Sequence, residues 1–340
     1  MSAASNTAEP LYLGIDLGTS RSVIAASNGV EAEVLSIVGW PKDFVAQRAL
    51  GGREVLFGAE ALEQRSALDL YRPLEDGVLR EGTPQEERAV AALIAHLIEL
   101  SASDGRPLRV AVGVPAECLR INKLAIRTAV GAHADKLMVV AEPFAVAYGL
   151  GALMHTIVVD IGAGTVDFCV MRGTVPGERE LRSLLTAGNA IDQRLYELLR
   201  ARFPEASVTL NMARQFKETY GFVGPHENPI KVRLPVAGKL VTYNITEEVE
   251  RACFHIVPPI VETLMDLIGA ADPEHQEALR GNILLAGGGS QLRGLAACLT
   301  RELERFEPCS FRCVPDPIRA GARGALALIR DMPEAFFARL

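Results

Sequence analysis

Asp16-Leu-Gly-Thr-Ser20 closes a short apolar run, Leu11 to Asp16, and a second apolar run restarts over Ser22 to Ala26. These residues read as a strand, a tight turn and a strand, because glycine and small hydroxyl residues break the apolar pattern where the chain must reverse. The phrase returns as Asp160-Ile-Gly-Ala-Gly-Thr165, with a β-branched run from Thr156 to Asp160 before it and an apolar run from Phe168 to Met171 after it. One such turn says little, since Asp and Gly form turns everywhere. Two in the same setting indicate a duplicated unit, and hence two related half-molecules facing each other across a cleft.

The composition agrees with two cores. The chain has 340 residues, 49% of them hydrophobic, which is more than one ordinary core needs. A net charge of −7, from 35 basic and 42 acidic residues without a long basic run, leaves no electrostatic footprint for nucleic acid. No apolar stretch reads as long enough to span a bilayer, and Met1 to Pro10 is small and polar, so a cytoplasmic protein without direct membrane insertion is expected. The six cysteines are scattered beside apolar neighbours and read as reduced thiols. Cys309 and Cys313 lack the further ligands a tetrahedral zinc site needs.

Between the two turns, Glu86 to Leu100 has helical spacing, Val110 to Val114 reads as a buried strand, and Ala116 to Val130 as another helix. Val139 and Val140 begin a strand that leads to Ala141-Glu142-Pro143 and a helix over Phe144 to Leu150. Downstream, Ala190 to Arg202 and Val208 to Tyr220 are helical in pattern. Ile230 to Val236 and Leu240 to Ile245 alternate as a hairpin around Ala237-Gly238. One long amphipathic helix is expected over Glu247 to Ile268, then a buried strand over Asn282 to Ala286 that runs into Gly287-Gly288-Gly289-Ser290.

Each aspartate stands where a strand ends, before glycine and a hydroxyl residue, a setting in which backbone N–H groups converge on phosphate oxygens. A carboxylate beside phosphate calls for a cation. Asp16 and Asp160 are candidates for Mg²⁺, through its water shell, because that ion keeps several waters and takes other ligands from the nucleotide. Glu142 is a candidate for orienting a water that attacks phosphate, or else a glutamate favoured by the helix dipole with Pro143 in the first turn. Gly287 to Gly289 would let backbone approach a flat base or a phosphate, or serve as a plain loop. Lys217 and Glu218, on their own, read as a solvated charged pair.

Taken in order, Asp16-Leu-Gly-Thr-Ser20, Ala141-Glu142-Pro143, Asp160-Ile-Gly-Ala-Gly-Thr-Val-Asp167, Leu285-Ala-Gly-Gly-Gly-Ser290 and Gly321-Ala-Arg-Gly-Ala325 resemble the five motifs of the actin, sugar-kinase and DnaK superfamily. The resemblance implies an α/β, actin-like fold of duplicated ribonuclease-H-like domains with a nucleotide cleft between them, binding ATP with Mg²⁺. Domain I would take 11–150 and 315–340, with a subdomain near 41–75. Domain II would take 151–314, with a subdomain near 193–250. It further implies two phosphate loops, Gly18, Thr19 and Ser20 in one and Gly162, Ala163, Gly164 and Thr165 in the other. Gly287, Gly288 and Gly289 would form the adenosine loop.

Loop phrases outside these motifs, Val38-Gly-Trp-Pro-Lys-Asp43, Pro73-Leu-Glu-Asp-Gly-Val78 and Gly173-Thr-Val-Pro-Gly177 among them, are similar to bacterial actins that organise magnetosomes. That similarity implies a hydrolytic role for Glu142, an Mg²⁺-site role for Asp160, and a grip on ribose and adenine by Lys217 and Glu218. It implies a homopolymeric filament that turns over by ATP hydrolysis and meets its cargo through adaptor proteins on an organelle. A plasmid-segregating or cell-shape actin has the same nucleotide chemistry. A small-molecule kinase of this fold would need a further acidic base, for which Asp167 is the residue to check. A DnaK-type chaperone would need a peptide-binding domain after the last motif.

Overall fold

The computed structural model describes residues 9–76, 78–79, 83–117 and 126–333. The chain forms two compact units, Met1–Ala152 with Ile318–Leu340, and Leu153–Pro317.

In the first unit β1 (Leu11–Leu17) is the middle strand of a five-stranded sheet. On one side β2 (Arg21–Ala26) and then β3 (Glu31–Leu35) follow as an antiparallel meander. On the other, β9 (Leu108–Val114) and β10 (Lys136–Ala141) run parallel to it. Leu11, Leu13 and Ile15 of β1, with Val110 and Val112 of β9, are fully buried. They pack with Leu93, Ile94 and Leu97 of α3 (Pro84–Leu100), whose apolar positions recur at helical spacing. Thr83 caps that helix by accepting from the Glu86 N–H at 3.2 Å, and Pro84 occupies the first helical position, where no N–H is needed.

Between β3 and α3 lies a small sheet of order β5-β4-β6, made of β4 (Val38–Pro41), β5 (Leu56–Phe57) and β6 (Leu68–Tyr71). With α1 (Phe44–Ala49) and α2 (Gly58–Glu63) it closes over its own apolar cluster of Ile37, Leu50, Leu56, Ala61 and Leu68. A two-stranded ribbon of β7 (Leu74–Glu75) and β8 (Val78–Leu79) follows. Of the helix expected over 116–130, residues 126–131 (α4) are helical and 118–125 lie outside the described residues, Cys118 among them. α5 (Glu142–Gly149) follows β10 directly, and α12 (Ala320–Asp331) returns from the far end of the chain to pack on α5 and β1. Arg323 of α12 grips Glu31 of β3 with two bonds of 2.7 Å.

The second unit repeats this plan. β11 (Met154–Ile161) is central, β12 (Val166–Arg172) and β13 (Leu181–Leu184) form the antiparallel meander, and β16 (Ile283–Ala286) and β17 (Phe311–Cys313) run parallel on the other side. The strand orders β10-β9-β1-β2-β3 and β17-β16-β11-β12-β13 therefore correspond strand for strand. The duplication read from two aspartate turns extends to whole sheets.

α6 (Gly188–Arg202), α7 (Leu210–Tyr220), α8 (Thr246–Phe254), α9 (Val257–Gly269), α10 (Pro273–Arg280) and α11 (Leu295–Leu303) complete this unit, with the hairpin β14 (Lys231–Val236) and β15 (Lys239–Asn244). Ala237 and Gly238 both take positive φ, 47° and 79°, as the two central residues of a I′ hairpin turn do.

The single helix expected over Glu247 to Ile268 is two. The ladder stops at His255 and Ile256, because Pro258 and Pro259 lack N–H groups and their rings oppose the carbonyls one turn back; both fit only in the first turn of a new helix. Among the described residues, Thr246–Gly269 is also the one stretch that holds an 18-residue window apolar enough, at a mean hydropathy of 1.3, to match a membrane span, contrary to the reading from sequence. Val249, Ala252, Cys253, Val257, Ile260 and Leu264 from it are fully buried in the core of this unit, which accounts for the apolar composition.

Candidate functional site

In the first unit the ends of three parallel strands bring the candidate residues together. Asp16 stands near the end of β1, in register with Val23 of β2 and Gly113 of β9. Gly113 pairs on its other side with Val140 of β10, after which Ala141 caps α5 and Glu142 opens it. Glu142 occupies the space Gly113 leaves: a Cβ there would stand 3.0 Å from Glu142 Cγ and 3.9 Å from Asp16 Cα. Gly321, in the first turn of α12, comes closer still, since its Cβ position lies 2.5 Å from Asp16 Oδ2. Asp16, Glu142 and the Gly321 motif, far apart in sequence, thus meet at one edge of the sheet.

The turn at 18–20 is pinned from behind by serines that sequence reading passed over. Buried Ser36 donates from Oγ to the Gly18 carbonyl at 2.6 Å, and its N–H donates to the Ser20 carbonyl at 2.9 Å. Ser22 Oγ, also buried, lies 2.9 Å from Ser36 Oγ. Nothing in a Ser-Ile dipeptide at 36 announces this, because the contact forms only when β3 closes on β2.

In the second unit Asp160 is 8% exposed and stands in register with Asp167 on β12 and Ala286 on β16. Gly287 follows Ala286 at φ 73°, and its Cβ position lies 2.3 Å from Asp160 Oδ1. Gly289 leaves no more room, its Cβ position being 2.3 Å from Ile161 Cγ2, whereas Gly288 faces open space. The loop from Gly162 to Thr165 closes on itself, Gly162 N–H donating to the Thr165 carbonyl at 2.9 Å. Its back is taken by the start of α6: the N–H groups of Gly188 and Asn189 donate to the carbonyls of Gly162 (3.1 Å) and Ala163 (2.7 Å).

Lys217 is held at that point. Its Nζ donates to the Gly188 carbonyl at 2.9 Å and lies 2.7 Å from Asp192 Oδ1. Glu218 is exposed on α7. Asp167 is 1% exposed and accepts from Ser183 Oγ at 2.5 Å. Gly188, Asn189, Asp192 and Arg214 were not legible as site residues, for they lie on ordinary helical patterns and acquire meaning only through the packing of α6 on the loop.

Two buried thiols of the second unit are held protonated. Burial pushes Cys169 up to about 12 and Cys253 up to about 11, far from thiolate at neutral pH. Among the described residues no three His, Cys, Asp or Glu side chains come together as a ready-made metal site. A divalent ion bound beside Asp16 or Asp160 would thus take most of its ligands from phosphate and water, which suits Mg²⁺. Carboxylates backed by bare glycine backbone, next to loops rich in N–H groups, fit a phosphate-and-magnesium ligand.

Comparison with known proteins agrees with this geometry. The family model described as MreB/Mbl protein matches residues 11–335. The actin-like protein MamK of Paramagnetospirillum magneticum is 40% identical over 332 residues, covering 97% of this chain and 95% of that protein. Among solved structures, a MamK double helical filament superposes with a TM-score of 0.92 at 39% identity, covering 96% of this chain and 100% of that one. A non-polymerising MamK mutant bound to AMPPNP gives 0.72 at 39% identity, covering 95% and 99%. The chain belongs to the MreB/Mbl family of actin-like proteins, in the part of that family that holds MamK.

Proposed function

We propose that this protein is an ATPase that polymerises with ATP and Mg²⁺ into cytoplasmic filaments, uses hydrolysis for filament turnover, and organises or positions magnetosomes through adaptor proteins. The observation that carries the reading is likeness over 96% of the chain to a MamK filament, at 39% identity and a TM-score of 0.92. The AMPPNP held by a MamK mutant of equal identity supports nucleotide as the ligand.

In this reading Gly18, Thr19 and Ser20 with Gly162, Ala163, Gly164 and Thr165 receive the phosphates, and Gly287, Gly288 and Gly289 receive adenosine with Lys217 and Glu218. Asp16 and Asp160 hold the hydrated Mg²⁺, which when bound neutralises phosphate charge. Glu142 orients the attacking water. Its place at the first turn of α5, against Gly113 and near Asp16, supports that role, because the carboxylate is half-buried where β1, β9 and β10 end. A small-molecule kinase is disfavoured by Asp167, whose carboxylate is buried against Ser183 rather than presented to an acceptor hydroxyl.

Glu142→Ala is the direct test. Loss of water positioning should slow phosphate release about 10²-fold while AMPPNP binding stays within about twofold. Phosphate release at the wild-type rate would remove Glu142 from the chemistry.

A further inference from the structure

Asp192 lies on α6 with 1% of its surface exposed, a place where a carboxylate is retained only with partners. Two cations from one face of α7, three residues apart, converge on it. Arg214 Nε donates to Oδ2 at 3.0 Å, and Lys217 Nζ lies 2.7 Å from Oδ1. Each cation has a second contact on the first turn of α6. Lys217 donates to the Gly188 carbonyl at 2.9 Å, and Arg214 Nη2 donates to Asn189 Oδ1 at 3.0 Å. Those same two residues, Gly188 and Asn189, hold the carbonyls of Gly162 and Ala163.

A trans peptide points its N–H opposite to its carbonyl. With the carbonyls of Gly162 and Ala163 turned toward α6, the N–H groups of Ala163 and Gly164 are turned away from it, as an anion-receiving loop requires. There is little slack behind the loop, since a Cβ on Gly188 would stand 3.1 Å from Ala163 Cα and 3.4 Å from Lys217 Nζ. The C-terminal end of α7 is anchored as well. Arg293, just past the glycine turn at 287–289, donates to the carbonyls of Tyr220 (2.8 Å) and Gly221 (3.4 Å).

We propose that Asp192 is a positioning residue for nucleotide hydrolysis, holding Arg214 and Lys217 of α7 against Gly188 and Asn189 so that the peptides of 162–164 keep their N–H groups aimed at phosphate. The inference rests on the ATPase reading and deepens it. An ammonium has three donors. One of those of Lys217 goes to the Gly188 carbonyl while its charge is paired with Asp192 at 2.7 Å, so much of what Lys217 does for the nucleotide passes through the loop.

The test uses the full chain and measures AMPPNP Kd, kcat for phosphate release with ATP and Mg²⁺, and Tm. Asp192→Asn keeps the size of the side chain and removes its charge. The expected result is a Tm within a few degrees of wild type, with Kd raised and kcat lowered, each about tenfold, as for a misplaced phosphate-binding group. Lys217→Gln should give a similar loss, and the double variant should be no worse than the more affected single by more than about twofold, because both act through one contact. If Asp192→Asn does not fold, Lys217→Gln and Arg214→Gln carry the test, each leaving Asp192 paired to one cation.

A folded Asp192→Asn with wild-type Kd and kcat would overturn the proposal, as would losses that multiply in the double variant. Wild-type protein that neither binds AMPPNP nor releases phosphate would sink the ATPase reading and this inference with it. Wild-type activity with indifferent variants would sink this inference alone.

Discussion

Asp160 Oδ1 and the Gly287 backbone share a space too small for a methyl group, and Asp16 Oδ2 and Gly321 share its counterpart in the other unit. At both places a carboxylate at the end of a central strand rests on glycine with no side chain between. A single residue also ties stability to pH. His96 on α3 stacks flat on Phe57 of β5, ring centroids 4.1 Å apart with 4° between planes. Burial holds its imidazole below the ordinary value of 6.5, against a smaller opposing pull from Glu99. The folded state thus binds this proton less readily than the unfolded chain does. Stability from this group is complete above about pH 6.5 and is lost as pH falls through the lower, folded-state value. His96→Phe keeps the stack and cannot be protonated, so urea denaturation at about pH 7.5 and about pH 5.5 should show a smaller loss in the variant than in wild type. Equal losses would remove His96 as a source of acid sensitivity.

At the scale of elements, the first unit is assembled around the crossing of α12 with α5 and β1. A Cβ on Gly324 would lie 1.9 Å from the Ala145 carbonyl oxygen, and one on Gly14 would lie 2.1 Å from that of Ala322. These obstacles are backbone, so neither helix can yield by turning a side chain. Gly324→Ala should therefore destabilise the protein by about 1–3 kcal/mol or more despite the better helix propensity of alanine. Urea unfolding measures it, and a change under about 0.5 kcal/mol, the usual range for surface positions, would mean the crossing adapts. Such crossings mark where sequence reading stops. The strands ending at Asp16 and Asp160, the helix before Leu100 and the 237–238 turn were legible because each depends on neighbours within a few residues. β5, β7 and β8, two residues each, have no periodicity to read. The break between α8 and α9 did carry a signal, Pro258-Pro259, which the apolar pattern overrode. Ser36 behind Gly18 and Asp192 behind Gly162 carried none, since their meaning comes from contacts between residues 14 or more apart in the chain.

For the whole molecule, the question is what a duplicated actin-like chain does with copies of itself. Several large apolar side chains face outward, Phe44 at 81% and Val45 at 59% exposed on α1 among them, so apolar surface remains for packing after each unit has closed its core. Head-to-tail contacts that do not close generate an open strand. The measurement that bears most directly on the filament ATPase account is sedimentation of the purified protein with ATP and Mg²⁺, with phosphate release followed in the same tubes and the pellet imaged by negative stain. The account predicts nucleotide-dependent filaments in the pellet and phosphate release that climbs above a critical protein concentration. Protein that stays in the supernatant with every nucleotide, releasing phosphate in strict proportion to its concentration, would contradict it.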